Sequence, residues 1–247
     1  METDRLMSTH YLAPLFTPES IALFGASDRE DAVGGIVFRN LLSAGFKGGI
    51  YPLNPKRDVV QGQDAFKSLA DIDDNIDLAV VATPATSIPD IVEECGEHGV
   101  PMMLILSAGF REIGDAGRKL EDRVMQRARH YGIRIMGPNC LGIIRPDIGI
   151  NLTFGNSNAI PGNLALVSQS GAICTSILDW ADKNGIGFSS VVSTGIGADL
   201  DFGDYLDYLV ADHKTKAILL YIEGISDSRR FMSSLRAAAR MKPVIAL

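Results

Sequence analysis

IALFGASDREDAVGG, residues 21–35, begins with an apolar run, Ile21 to Phe24, that breaks at Gly25. A loop of small and charged residues follows. The pair Gly34-Gly35 then leads into an amphipathic segment, IVFRNLLSAGF. The order is strand, phosphate-sized loop, helix. In such a first βα turn, backbone N–H groups and the positive end of the helix can hold an anion.

Outward from this stretch the pattern repeats. Strand-length apolar runs occur at 21–25, 50–53, 76–82, 102–106 and 133–136, with helix-period segments at about 36–45, 88–99 and 116–131. Leu12 to Pro18 reads as a short helix before the first strand, and residues 1 to about 11 as loosely held. Alternation of strand and helix implies parallel pairing with right-handed crossovers. Continuously apolar strands imply a sheet covered on both faces. Ser87 and Asp90 have the spacing of a capping box for the helix near 88. After each strand come turn-forming residues: Gly25-Ala26-Ser27, Asn54-Pro55-Lys56, Thr83-Pro84-Ala85, Ser107-Ala108-Gly109 and Gly137-Pro138-Asn139. In a parallel sheet these share the carboxyl edge, where open α/β sheets bind ligands.

Beyond Cys140 the helical period stops. Residues 141–162, rich in Gly and with Pro146 and Pro161, read as a linker. A second alternation follows, with apolar runs at 164–167, 188–192, 217–222 and 243–247 and helical segments near 172–183, 201–211 and 228–241. Asp201 and Asp227 are placed to cap the last two. The fold class is α/β. A Rossmann-like domain spans 12–140, and 163–247 reads as the first part of a second parallel-sheet domain. An apolar strand running to Leu247 is expected to belong to a longer polypeptide.

Composition narrows the function. The 247 residues carry a net charge of −7 and no basic tract, which argues against nucleic acid and anionic membranes as partners. No apolar run reaches the length of a membrane span. The cysteines, Cys95, Cys140 and Cys174, are odd in number and far apart, with no CxxC, so neither a disulfide framework nor a structural zinc is expected. A reduced, cytoplasmic setting fits. Cys140 reads as a packed thiol. Ser168 and Ser170 are not centred in GxSxG, so no nucleophile elbow is expected. Asp199, Asp201 and Asp204 read as helix caps and first-turn acids rather than a metal loop, and no metal site is expected.

The first loop departs from the dinucleotide fingerprint. Ser27 and Glu30 stand where GxGxxG needs glycine. The second strand ends in Asn54-Pro55-Lys56-Arg57 instead of the acid that holds a ribose. Two cations there favour a phosphorylated nucleotide such as CoA over NAD.

SIALFGASDRE, YPLNPK, VVATPA, LSAGF, GPNCLG, LVSQSGA, STGIGADLDFGDYLDYL and YIEGISDSRRF follow one another as in NDP-forming acyl-CoA synthetases. That superfamily includes the succinyl-CoA synthetase α subunit and the ADP-forming acetyl-CoA synthetases. The resemblance covers nearly all of residues 12–247. The second half is most similar to long bacterial members that end in a GNAT acetyltransferase domain.

The resemblance implies a CoA-binding domain, then a succinyl-CoA ligase-like domain of flavodoxin fold. It implies that Gly25, Ala26, Ser27 and Arg29 line the CoA phosphates, with Lys56 near the nucleotide end. Thr83-Pro84 and Ser107-Ala108-Gly109 would border adenine and pantetheine, and Asn139 would sit near the thiol. Ser168, Gln169, Ser170, Gly171 and Ala172 would face a phosphoryl group at a helix start, and Glu223 would hydrogen-bond a phosphorylated histidine. The implied reaction converts acid, CoA and NTP to acyl-CoA, NDP and phosphate through an acyl phosphate and a phosphohistidine. NTP and magnesium would bind an ATP-grasp domain or subunit outside this chain. The family's histidine follows the strand matching KPVIAL. Neither His10, His98, His130 nor His213 has that position, so this stretch alone should not turn over. Two alternatives stay open: an acyl-CoA-sensing domain regulating a GNAT lysine acetyltransferase, and an NAD(P) oxidoreductase domain, against which Ser27, Glu30 and Lys56 speak. A homo-oligomer also stays open.

Overall fold

The computed structural model describes residues 9–247. A short helix α1 (Ala13–Phe16) precedes β1 (Ser20–Phe24), α2 (Val33–Ala44) and β2 (Gly49–Leu53). A two-stranded ribbon, β3 (Val59–Val60) and β4 (Gln63–Asp64), comes next. Then follow β5 (Leu78–Val81), α3 (Ile88–Glu97), β6 (Met102–Ile105), α4 (Asp115–Tyr131) and β7 (Arg134–Met136). The first sheet has the order β2-β1-β5-β6-β7 and is parallel throughout. The chain winds one way from β1 to β2 and the other way from β5 onward. The carboxyl ends of β1 and β5 therefore flank the crevice at the point of reversal, where ligands bind in such sheets.

The second sheet is built from β8 (Gly142–Arg145), β9 (Ile150–Thr153), β10 (Pro161–Ser168), β11 (Phe188–Ser193), β12 (Ala217–Tyr221) and β13 (Val244–Ala246). Helices α5 (Gly171–Lys183), α6 (Phe202–Ala211) and α7 (Ser228–Met241) connect its parallel strands. The strand order is β13-β12-β10-β11-β8-β9. β13, β12, β10 and β11 are parallel, and β8 and β9 add an antiparallel hairpin beside β11.

That hairpin corrects the reading of 141–162 as a linker. Ile143, Ile144, Ile150 and Leu152 are completely buried, and two four-residue strands flank a turn at Pro146–Gly149. Burying side chains of this size stabilises by about 1.5–3 kcal/mol each, enough to hold a short ribbon on a sheet edge. Ser87 is also corrected. It precedes α3 without a side-chain cap and donates its hydroxyl to Thr83 Oγ1 and to the Pro84 carbonyl, while Asp90 pairs with Arg127 at 2.9 Å. The caps expected at Asp201 and Asp227 form. Asp201 Oδ1 accepts from the Gly203 and Asp204 N–H groups, and Asp227 Oδ1 from Arg230 N–H.

The two sheets share one hydrophobic cluster that runs from Leu12 and Phe16 to Phe231 and Ala238. The loop after β11 runs along the outer edge of β7: Ile196, Ala198 and Leu200 N–H groups donate to the carbonyls of Pro138, Gly137 and Ile135. A charged knot fastens the same junction. The side chain of Asp204 is completely buried. It accepts from Tyr11 Oη at 2.8 Å, Arg230 Nη2 at 2.5 Å and Asp201 N–H at 2.9 Å, with Arg134 Nη2 at 3.6 Å. Burial alone would raise its carboxyl; the bonds from Asp201 N–H and Tyr11 and the two guanidiniums outweigh it and hold the group below the usual carboxylate range. Arg134 also donates to Asp199 at 2.8 Å.

Of the segment expected to be loose, residues 1–8 lie outside the described residues. Residues 10 and 11 are held. His10 stacks on Tyr11 at 4.5 Å and meets Tyr208 edge-on at 5.3 Å, and Tyr11 is bound to Asp204. A buried carboxylate beside the first helix gives this arm a polar anchor that its sequence does not announce.

Candidate functional site

At the tip of β1 the chain turns through Gly25, whose φ of 88° is left-handed. Gly34, in the first turn of α2, packs so closely that a Cβ there would lie 1.9 Å from the Gly25 carbonyl oxygen. The loop 25–32 is thus drawn over the start of the helix. Ala32 precedes α2 and offers no side-chain cap, so the first-turn N–H groups are left for another acceptor. An uncapped N-terminus under a tight loop suits a phosphate.

The tip of β2 completes this wall. Asn54 Nδ2 donates to the Ala26 carbonyl at 2.8 Å, and its Oδ1 accepts from the Lys56 and Arg57 N–H groups. Arg57 is paired with Asp28 at 2.7 Å, and Arg29 with Asp31 at 3.0 Å. Lys56 is exposed and its ammonium has no partner among the described residues. Of the three cations near the loop, Lys56 is the one left uncompensated. Ser27 Oγ accepts from Arg29 N–H. Gln61, on the β3–β4 turn, donates its amide to the carbonyls of Ser27 and Gly35 at 2.8 Å each, clasping the loop to the helix. Sequence reasoning missed Gln61. Its turn is only two residues per strand and lacks apolar alternation.

The tips of β5, β6 and β7 form the opposite rim. Ser107 Oγ donates to the Thr83 carbonyl at 2.5 Å, and Asn139 N–H to the Ser107 carbonyl at 3.0 Å. Pro84 and Ala108 lie exposed beside them. The Gly109 and Phe110 N–H groups donate to Glu112 Oε1. Burial alone would raise that carboxyl; these bonds hold it below the usual range.

Asn139 leads into a second cleft, of about 480 Å³, between the sheets. Asn139, Cys140 and Leu141 line it from one side, and Gln169, Ser170, Gly171, Ala172, Thr175 and Glu223 from the other. Ser170 caps α5 by accepting Ile173 N–H at 3.4 Å. The Gly171 and Ala172 N–H groups find no acceptor among the described residues. The helix start therefore presents free donors to the cleft, and the Glu223 carboxylate stands exposed at its margin. Neither His10, His98, His130 nor His213 lines it.

Two residues of the turn expected to face a phosphoryl group are held by the protein's own backbone. Ser168 is completely buried and does not line the cleft. Its hydroxyl donates to the Ser170 carbonyl and accepts Ser170 N–H, which shapes the turn. Gln169 lines the cleft, but its amide is spent on backbone. Oε1 accepts from Glu223 N–H at 2.5 Å and Gly224 N–H at 2.9 Å, and Nε2 donates to the Gly224 carbonyl at 2.8 Å. Burial pushes the Cys140 thiol up to about 12, consistent with a packed group rather than a nucleophile. Cys174, also buried, is pushed up to about 11.

Comparison with known proteins agrees with this two-domain arrangement. Residues 19–146 match the CoA binding domain family, and residues 161–247 match the succinyl-CoA ligase like flavodoxin domain. Over 240 residues the chain is 41% identical to the α subunit of acetate–CoA ligase (ADP-forming) I of Pyrococcus furiosus, covering 96% of this chain and 52% of that one. Over 230 residues it is 44% identical to the acetate–CoA ligase (ADP-forming) of Methanocaldococcus jannaschii, covering 93% of this chain and 32% of that one. The chain thus spans about half the length of the α subunit and about a third of the longer relative. The fold superimposes on an acetyl-coenzyme A synthetase 1 of Ca. Korarchaeum cryptofilum, solved with phosphate and ADP, with a TM-score of 0.92 at 37% identity, covering 96% of this chain and 51% of that one. No helix among the described residues is long and apolar enough to cross a membrane. The chain belongs to the CoA binding domain family, and it carries a succinyl-CoA ligase like flavodoxin domain after that domain, as do the α subunits of ADP-forming acetate–CoA ligases to which it is similar.

Proposed function

We propose that this chain is the CoA- and acyl-CoA-binding portion of an NDP-forming acyl-CoA synthetase, carrying one half of its phosphoryl-transfer site. The observation that carries the reading is the shared cleft. Asn139, at the tip of the first sheet, faces the free N–H groups of Gly171 and Ala172 and the Glu223 carboxylate from the second domain. A thiol held on the first domain and a phosphoryl group held on the second would meet there.

In this reading Gly25, Ala26 and Ser27 form the backbone cradle for the CoA phosphates over the start of α2. Lys56 meets the 3′-phosphate. Thr83, Pro84, Ser107, Ala108 and Gly109 form the rim along which adenine and pantetheine lie. Arg29 reaches a phosphate by exchanging Asp31, an exposed partner worth little in water. The N–H groups of Gly171 and Ala172 stabilise the negative charge of an acyl phosphate or of a phosphoryl group in transfer. Glu223 orients an incoming imidazole, fixing which ring nitrogen is free to attack phosphorus. The histidine would come from the loop that follows the strand at 243–247 in the family, and the nucleotide and magnesium from an ATP-grasp-bearing part of the enzyme.

The test is reconstitution of this chain, joined to the histidine-bearing remainder of a relative's α subunit, with that relative's nucleotide-binding half. Acetyl-CoA, phosphate and ADP should yield ATP, and the yield should depend on Glu223. CoA binding without any turnover, by a chain whose own continuation lacks the histidine, would instead favour the acyl-CoA-sensing domain of a GNAT acetyltransferase.

A further inference from the structure

We infer that Gln169 is a positioning residue for Glu223: its side chain locks the strand-end loop that aims the carboxylate at the start of α5. The inference rests on the proposed phosphoryl-transfer reading for its catalytic consequence, but not for the lock itself.

Gln169 lies between the end of β10 and the start of α5. Its backbone N–H donates to the Tyr221 carbonyl at 3.1 Å, which carries the β10–β12 pairing one residue past the last strand position. The side chain then continues the ladder where the backbone can no longer do so. One amide makes three bonds to the Glu223–Gly224 backbone, using both an acceptor and a donor. Few other restraints act on this loop. Residues 223–230 are all exposed, a Cβ at Gly224 would meet nothing within 4 Å, and among the described residues no backbone bond joins the N–H or C=O of Glu223 or Gly224 to the backbone of another element. The Glu223 side chain has no partner of its own among the described residues, so its direction is set by the backbone that carries it.

The arrangement also explains why a glutamine stands in a turn otherwise made of serine and glycine. A primary amide offers an acceptor and a donor on one planar group and matches a peptide edge. A carboxylate would oppose the Gly224 carbonyl, and a lysine would lack the acceptor. Three of the four hydrogen-bonding positions of its amide are engaged by the Glu223–Gly224 backbone, which assigns Gln169 to the loop rather than to the phosphoryl group. It shapes the cleft by fixing the spacing between the free donors of Gly171 and Ala172 and the Glu223 carboxylate. Misplacement of a reacting group by 1 Å can cost on the order of 10²-fold in rate.

The experiment has two arms on the 247-residue chain and its reconstituted enzyme. Amide hydrogen exchange on Gln169→Ala should deprotect Glu223 and Gly224 by tenfold or more while Leu219 and Leu220 in β12 keep their protection. Unchanged protection at Glu223 and Gly224 would overturn the inference whatever the activity. In the reconstituted reaction, Gln169→Ala should lower kcat by on the order of 10²-fold with the KM for CoA unchanged, and the Gln169→Ala/Glu223→Ala double variant should match Glu223→Ala alone, as expected for residues acting as one unit. Additive losses would mean that Gln169 contacts the phosphoryl group itself and would overturn the assignment. A wild-type reconstitution without turnover would count against the phosphoryl-transfer reading, and the exchange arm would still decide the lock.

Discussion

Asp204→Asn removes one charge from the junction between the two domains and leaves the shape of the side chain nearly intact. In the wild type the buried carboxylate meets Arg230 at 2.5 Å and Arg134 at 3.6 Å, besides Tyr11 and the Asp201 N–H. Breaking a fully buried ion pair by removing one partner costs about 3–5 kcal/mol. Here the guanidiniums keep contact with water, Arg230 being 44% and Arg134 32% exposed. Screening therefore reduces the cost to about 2–3 kcal/mol. For a chain of this size each kcal/mol shifts Tm by about 2–4 °C, so the variant should melt about 4–12 °C below the wild type at pH 7. The sign with pH follows from the depressed carboxyl. A group whose folded value lies below its unfolded value of about 3.9 stabilises fully above that value and loses its contribution as pH falls through the folded one. The gap between wild type and variant, measured by calorimetric melting, should be constant from about pH 6 to 8 and should close under acid. A Tm within about 1 °C of the wild type at pH 7, or a gap that widens on acidification, would refute the role assigned to this knot.

Two further variants probe the first loop. Gly34→Ala would place a methyl group 1.9 Å from the Gly25 carbonyl, so the loop must lift off the helix; CoA affinity should fall by about tenfold or more with the circular dichroism spectrum kept, and an unchanged Kd would show that the loop does not bear the ligand. Lys56→Ala deletes the one uncompensated cation at the β2 tip. A surface charge at about 4 Å is worth about 1 kcal/mol, so Kd for CoA should rise about fivefold while that for dephospho-CoA stays put; equal losses for both ligands would remove Lys56 from the 3′-phosphate.

How legible this molecule is in its sequence differs from part to part. The parallel strands and their helices stand out because each is an apolar run or an amphipathic period of four residues or more, bounded by turn formers. Residues 102–105 and 228–241 fall where pattern alone puts them. The β8–β9 hairpin is hidden by its glycines and Pro146, which resemble a linker until the buried isoleucines are seen to pair. Ser87 shows the limit of local rules. Its spacing to Asp90 fits a cap, yet its hydroxyl finds Thr83 and Pro84 instead. The cleft itself is a tertiary product. Asn139, Ser170 and Glu223 are far apart in the chain and converge because the 196–200 loop docks along β7. Nothing in the SQSG turn says that its glutamine binds the backbone of residues 223–224 while Ser168 is buried and Ser170 and Gly171 line the cleft. Spacing gives the helix start; only the packed structure divides its side chains between ligand and scaffold.

The most direct measurement is a calorimetric titration of the 247-residue chain with CoA, with dephospho-CoA and NADH run beside it. The cradle over α2 and the free Lys56 predict saturable binding of CoA, weaker binding of dephospho-CoA and none of NADH at the same concentrations. Binding of NADH in preference to CoA would contradict the account.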